Sequence, residues 1–168
     1  MLLSMLRRND EPTSAWLNRI GYDSVTTVHL GLNALHCAVV TGDLTACKWL
    51  RENGGEKLVR AETAGGDTPL SLGCREGQME AVQYLLETEA VGDLRKRNCK
   101  NGLTPMHRAC ASGNLRLVQW LSSVGAQGDI RDVDPKNGYT PMLEAATNGK
   151  LHVCKVRLHT YSLHTIII

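Results

Sequence analysis

The sequence predicts an all-α solenoid, a row of stacked helix-turn-helix units with hairpin-like loops projecting between them. Three observations carry this. A frame built on two glycines occurs four times, Thr-Pro follows the first glycine in three of the copies, and a helical apolar stripe follows the second. The clearest copy is Gly102-Leu103-Thr104-Pro105-Met106-His107-Arg108-Ala109, closed by Gly113. It returns as Gly66-Asp67-Thr68-Pro69-Leu70 with Gly77, and as Gly138-Tyr139-Thr140-Pro141-Met142 with Gly149. A worn copy is Gly31-Leu32-Asn33-Ala34-Leu35-His36 with Gly42. The first glycines stand at 31, 66, 102 and 138, and the second always comes eleven residues later. A fixed period of this size marks an array rather than one globule.

Each element follows from local chemistry. Thr before Pro starts a first helix, because Thr caps and Pro at the first position gives up no needed hydrogen bond. About eight residues on, the second glycine can take the left-handed conformation that stops a helix. A second helix then carries Leu115, Leu117, Val118, Trp120 and Leu121 in one unit, and Met79, Ala81, Val82, Tyr84 and Leu85 in another. That spacing makes a single stripe, which only a neighbouring unit can cover. Leu58, Leu94 and Ile130 each stand eight residues before the next glycine. Around them, Lys57 to Glu62, Arg95 to Lys100 and Asp129 to Lys136 read as loops, with Asn101-Gly102 and Asn137-Gly138 as turns. Asp134-Pro135 marks extra length in the last loop.

The units are therefore bounded at 31–65, 66–101, 102–137 and 138–158. Residues 1–30 read as a degenerate N-terminal repeat or cap, since Trp16-Leu17, Gly21 and Val25 stand 33 residues before Trp49-Leu50, Gly54 and Leu58. That register puts Leu2, Leu3 and Met5 on a first helix with Asn9-Asp10 at its turn. At the other end Arg157 falls where Leu50, Leu85 and Leu121 sit, and residues 159–168 form an irregular apolar tail. A solenoid needs a polar-faced cap, so either this tail folds back or, the favoured expectation, the chain is part of a longer array.

The frame resembles the ankyrin repeat. Thr104 to Ala109 match the T-P-L-H-x-A signature of that family at five of six places, Met106 standing for Leu. The departures are Asn33-Ala34 for Thr-Pro, Ser71 and Leu143 for His, and Gly73 close to the usual Ala. The resemblance implies that His36 and His107 tie neighbouring loops together. It also implies a concave surface of loop tips and first helices that recognises another protein. The positions it places there are Asp67, Arg75, Glu76, Leu103, Ala111, Ser112, Tyr139, Thr147 and Asn148, with Leu32, Val40 and Thr41 in the worn copy. They differ between units while the frame repeats. Leu103 and Tyr139 are the expected anchors, since exposed apolar and aromatic groups contribute most at interfaces.

Composition agrees and excludes alternatives. With 4% aromatic residues and no Phe, a chain of 168 residues fits narrow layers of Leu, Val, Ala and Met better than one large core. A net charge of +2 gives no pointer to nucleic acid. Of six cysteines, Cys74 and Cys110 share one register position and Cys47 and Cys154 another, as small core residues. No Cys/His spacing suits zinc, and unpaired thiols point to a reducing compartment. The apolar start, Met1 to Leu6, is shorter than a signal core and is followed by Arg7-Arg8. No stretch reaches membrane-spanning length. A soluble, cytoplasmic protein is expected.

No catalytic, metal or cofactor site is expected. The glycines open no phosphate loop or dinucleotide fingerprint, and neither a nucleophile elbow nor H-E-x-x-H occurs. His152, His159 and His164 lack ligand partners at suitable spacing. One charge cluster stands out: Arg95, Lys96, Arg97 and Lys100 crowd one loop. It would meet an acidic partner, or be neutralised by Asp93, Asp129 and Asp132. The leading reading is a non-catalytic protein-binding module, with no small-molecule substrate, nucleic acid or membrane. The alternative is a regulatory or targeting segment of a larger multidomain enzyme. A third, nucleic-acid binding through the Arg95–Lys100 loop, would show salt-dependent retention of DNA or RNA.

Overall fold

The computed structural model describes residues 11–22, 28, 29, 31–88 and 90–155. The expectations for Leu2, Leu3, Met5, Asn9-Asp10, Val25, Arg157, His159, His164 and the tail 159–168 lie outside those residues. The elements are α1 (Thr13–Arg19), β1 (Val28–His29), β2 (Leu32–Asn33), α2 (Ala34–Thr41), α3 (Leu44–Arg60), α4 (Pro69–Glu76), α5 (Met79–Thr88), α6 (Pro105–Ser112), α7 (Leu115–Leu121) and α8 (Pro141–Thr147). A last helix begins at 151. β1 and β2 pair antiparallel, Val28 opposite Asn33; the rest of the described residues are helix and loop.

The first helix of each pair starts and stops as its sequence dictates. Thr68, Thr104 and Thr140 cap with their hydroxyls, accepting from the N–H of Ser71, His107 and Leu143, and Pro occupies the first turn. Asn33 does the same for α2, its side chain accepting from the His36 N–H at 2.9 Å. His36 and His107 answer reciprocally: each Nδ1 accepts from the backbone N–H of the cap residue, completing a capping box with His in place of the usual Glu. α2, α4 and α6 end at Gly42, Gly77 and Gly113, all left-handed with φ between 72° and 83°.

Stacking is direct. α2 packs on α4, α4 on α6 and α6 on α8, while α3, α5 and α7 lie against their partners in the same pair. The stripe residues Ala81, Val82, Leu85, Leu117, Val118 and Leu121 are buried between layers, as are Leu35, Leu70 and Met106 from the first helices. Trp16, Leu17 and Tyr22 belong to the same core. The Tyr22 hydroxyl donates to the Leu32 carbonyl at 2.8 Å, joining α1 to the first pair. Gly73 replaces Ala because a Cβ there would lie 2.8 Å from Val82 and 3.0 Å from Val39.

One expectation is corrected. The sequence pattern places Lys57 to Glu62 in a loop, but α3 runs on to Arg60 after a break at Gly55, whose φ of 63° is non-helical. Short helical turns also occupy Ala90–Asp93 and Gln127–Arg131. The apolar anchors Leu58, Leu94 and Ile130 need this: a turn of helix delivers one side chain back to the layer, where Leu58 and Leu94 are buried.

Cys47, Cys74 and Cys110 are buried, and burial pushes Cys47 and Cys110 up to about 12 and Cys74 up as well. Cys154, at the same register position as Cys47, is only partly covered and borders a shallow cleft with Thr140, Met142, Leu143 and Ala146.

Burial also lowers both signature imidazoles, His107 below its ordinary 6.5 and His36 from 6.5 to about 4. In the unfolded chain these groups bind a proton near the ordinary value, so acid favours unfolding. The contribution of His36 is complete above about pH 6.5 and is lost as pH falls toward 4. Thermal melts should show a midpoint that drops on acidification across this window, and His36→Asn should flatten the drop. A flat or rising midpoint in the parent chain contradicts this.

Candidate partner-binding surface

The loop tips are built from one device used three times. Thr63, Asn98 and Asp134 each turn their side chain onto the backbone that follows. Thr63 Oγ1 accepts from Gly65 and Asp67 N–H at 3.2 and 3.1 Å. Asn98 Oδ1 accepts from Lys100 and Asn101 N–H at 2.8 and 3.1 Å. Asp134 accepts from Lys136, Asn137 and Tyr139 N–H at 2.9, 2.7 and 2.9 Å. Burial works against charge on Asp134, but these three donors outweigh it and hold the carboxyl below its ordinary range. The tips also touch one another. A Cβ on Gly66 would fall 2.7 Å from Cys99 Sγ, and one on Gly102 2.3 Å from Pro135. Both glycines are left-handed as well, at φ 79° and 73°, so each is required twice over.

Asp67 departs from its predicted place. Its register position predicts the exposed rim; it is only 5% exposed. Its Oδ1 accepts from Ser71 Oγ at 3.0 Å, Asn98 Nδ2 at 2.6 Å and Arg108 at 2.8 Å, and its Oδ2 from Arg75 at 3.2 Å. A buried carboxylate is tolerated only when paired and hydrogen-bonded, and here two guanidinium groups and two neutral donors supply that. Arg108 comes from the following unit and Asn98 from the loop leading into it, so Asp67 is a bolt between layers. Asn98 Nδ2 also donates to the Gly65 carbonyl at 3.0 Å.

The other predicted positions are more open. Arg75 reaches Asp67 and pairs with Glu76 at 2.9 Å while staying exposed. Leu103, Ala111 and Ser112 are half-buried; Ser112 Oγ donates to the Ala109 carbonyl at 2.8 Å. Tyr139 is 37% exposed. Thr147 and Asn148 are exposed and hydrogen-bond the Glu144 carbonyl. Leu32, Val40 and Thr41 are half-buried. The structure thus brings Arg75, Glu76 and Asp67 into one network with Arg108, while Leu103 and Tyr139 share a register position on consecutive tips.

Sequence reasoning missed a ladder across the turns between paired helices. Gln78 Nε2 donates to the Val40 carbonyl at 3.1 Å, and Asn114 Nδ2 to the Gly77 carbonyl at 2.8 Å. His152 Nε2 lies 2.6 Å from the Gly113 carbonyl. The signal was an amide side chain directly after the second glycine in two units. His107 adds a further rung, its Nε2 at 3.1 Å from the Tyr139 carbonyl.

The basic loop is largely neutralised. Arg95 pairs with Asp129 at 2.6 Å, Lys96 with Glu62 at 2.9 Å and Arg97 with Asp132 at 2.5 Å. Glu62 is held below its ordinary value by Lys96 first and then by the Cys99 thiol. Among the described residues, no three His, Cys, Asp or Glu side chains converge to hold a metal ion, and no helix is long and apolar enough to cross a membrane.

Asp67→Ala should lower stability by about 2–4 kcal/mol in urea unfolding, because Arg108 loses its buried partner. Asp132→Ala, which frees the exposed Arg97, should cost less than about 1 kcal/mol. Equal losses would show that the Asp67 network does not join the layers.

The family model described as "Ankyrin repeats (many copies)" matches residues 35–86 and again 70–121. The chain is also similar to protein phosphatase 1 regulatory subunit 27 of Mus musculus, 34% identical over 94 residues, and to the Homo sapiens protein of that name, 33% identical over 94 residues. Each alignment covers 55% of this chain and 60% of the relative, so the chain spans less than two thirds of the length of those curated relatives. Together the family matches run from 35 to 121, over half of the chain. They fall on the stacked pairs from α2 to α7, and the chain belongs to the ankyrin repeat family.

Proposed function

We propose that the chain is a non-catalytic protein-interaction module that binds a partner protein across the loop tips and first helices. In this reading four repeats, 31–65, 66–101, 102–137 and 138–158, follow a degenerate first unit within 1–30, with hairpin-like tips between them and an irregular tail at 159–168. The observation that carries it is a division of labour. Frame positions such as Thr104, His107 and Gly113 spend their hydrogen-bonding capacity inside the stack. The rim positions Arg75, Glu76, Leu103, Ala111, Ser112, Tyr139, Thr147 and Asn148 differ from unit to unit. A rigid scaffold with a varied edge serves recognition rather than turnover. Asp67 supports this surface from beneath rather than touching the partner.

The relatives' name, a phosphatase regulatory subunit, supports a chain that acts by holding another protein. A protein phosphatase catalytic chain is accordingly the first partner to test. The buried thiols, raised far from ionisation, fit a reducing compartment such as the cytoplasm.

Affinity capture with the intact chain should recover a defined partner. Leu103→Ala/Tyr139→Ala should weaken its capture about tenfold or more while leaving the thermal midpoint nearly unchanged. Equal recovery by both would move the interface off these tips, and recovery of no protein would remove the reading.

A further inference from the structure

Two consecutive tips carry the same Lys-Asn-Gly run followed by an apolar or aromatic residue: Lys100-Asn101-Gly102-Leu103 and Lys136-Asn137-Gly138-Tyr139. The structure fixes both alike. Lys100 and Lys136 donate their backbone N–H to Asn98 and Asp134, and the same buried side chains shape both turns. Pro135 packs against Gly102. Arg97 spans the pair, donating to the Gly102 and Val133 carbonyls at 2.9 and 3.3 Å and pairing with Asp132. The two rims are therefore a rigid, two-fold repeated unit.

Their charges do not cancel. Glu62, Asp129 and Asp132 are taken by Lys96, Arg95 and Arg97, and Asp134 by three backbone donors. Lys100 and Lys136 are exposed and make no ion pair among the described residues. Each stands across a turn from an apolar side chain, half-buried Leu103 or exposed Tyr139. Of the loop cluster singled out by sequence, Lys100 alone makes no ion pair among the described residues, and Lys136 on the next tip matches it.

We propose, on the reading of the chain as a protein-binding array, that this double rim takes an acidic peptide segment of its partner. Two carboxylates meet Lys100 and Lys136, and an apolar side chain between them packs against Leu103 and Tyr139. Stacked helices sit about 8–10 Å apart, and extended chain advances about 3.3 Å per residue. The two acidic positions are therefore about three residues apart. The apolar contact supplies most of the affinity, and the lysines select which segment is accepted. Nucleic acid fits less well: strongly salt-dependent binding rests on about 6–10 phosphate contacts, and this rim offers two cations beside apolar groups.

The test is selection of random peptides of about a dozen residues, displayed on phage, on the immobilised full chain. Enriched sequences should carry two acidic residues about three apart with an apolar residue between them. A synthetic copy should bind about tenfold more weakly to Lys100→Gln/Lys136→Gln at low salt, and the difference should shrink at about 0.5 M salt. Lys100→Glu/Lys136→Glu should select basic peptides instead. Thermal melts of each variant verify folding. Enriched peptides without acidic excess that still need Leu103 and Tyr139 would overturn the acidic partner and leave the protein-binding reading standing. So would acidic peptides selected equally by the Glu variant. Failure to enrich any peptide would overturn the segment-binding proposal, the capture experiment then judging the function separately. Tighter binding of single-stranded DNA or RNA oligonucleotides than of the best peptide would replace it with a nucleic-acid site.

Discussion

A helix pair with an apolar stripe along one side is unfinished until something covers that stripe, and in this chain the cover is the next pair. α2, α4, α6 and α8 lean on one another in sequence order, with Leu35, Leu70 and Met106 buried between them. Full burial of one such side chain stabilises by about 1.5–3 kcal/mol, gained at an interface rather than within a unit. Polar contacts then fix the register that apolar packing leaves loose. Asp67 grips Asn98 and Arg108, Gln78 and Asn114 reach back to the preceding turn, and His107 reaches forward to Tyr139. Left-handed Gly66 and Gly102 let the tips approach closely enough for these bonds to form.

What could be read in advance was whatever the local backbone demands. Thr-Pro caps, glycine stops and the stripe of the second helices are short-range requirements, so they stand in the sequence at fixed spacing. The bolts between layers are not local: Asp67 meets Asn98 and Arg108 across 31 and 41 residues. Its register position holds Leu103 and Tyr139 in other units, and that analogy placed an aspartate on the rim that belongs inside. The helical turn at 56–60 escaped for a similar reason. Its charged residues look like loop, but burial of Leu58 and Val59 and the Glu56–Arg60 ion pair favour the helical turn. The neutralisation of Arg95, Lys96 and Arg97 was legible as a possibility, since the acids were visible, but the pairing depends on which loop lies opposite.

This separation of local frame from inter-layer bolts gives the scaffold its use. Where donors and acceptors are consumed inside, as at Thr104, Asn98 and Asp134, the surface can vary without loosening the stack. The side chains of Lys100, Lys136, Leu103 and Tyr139 stand outside that frame, and the proposed interface draws on them. A receptor that is rigid beforehand loses little conformational entropy on binding.

Amide hydrogen exchange in a chain weakened at one layer measures the dependence between units most directly. Met106→Ala removes a fully buried side chain from α6 and should cost about 2–5 kcal/mol. If each pair is held by its neighbours, exchange should quicken in α4 and α8 together with α6 and α7. Faster exchange confined to α6 and α7 would mean that the pairs are stable singly, and would contradict the account.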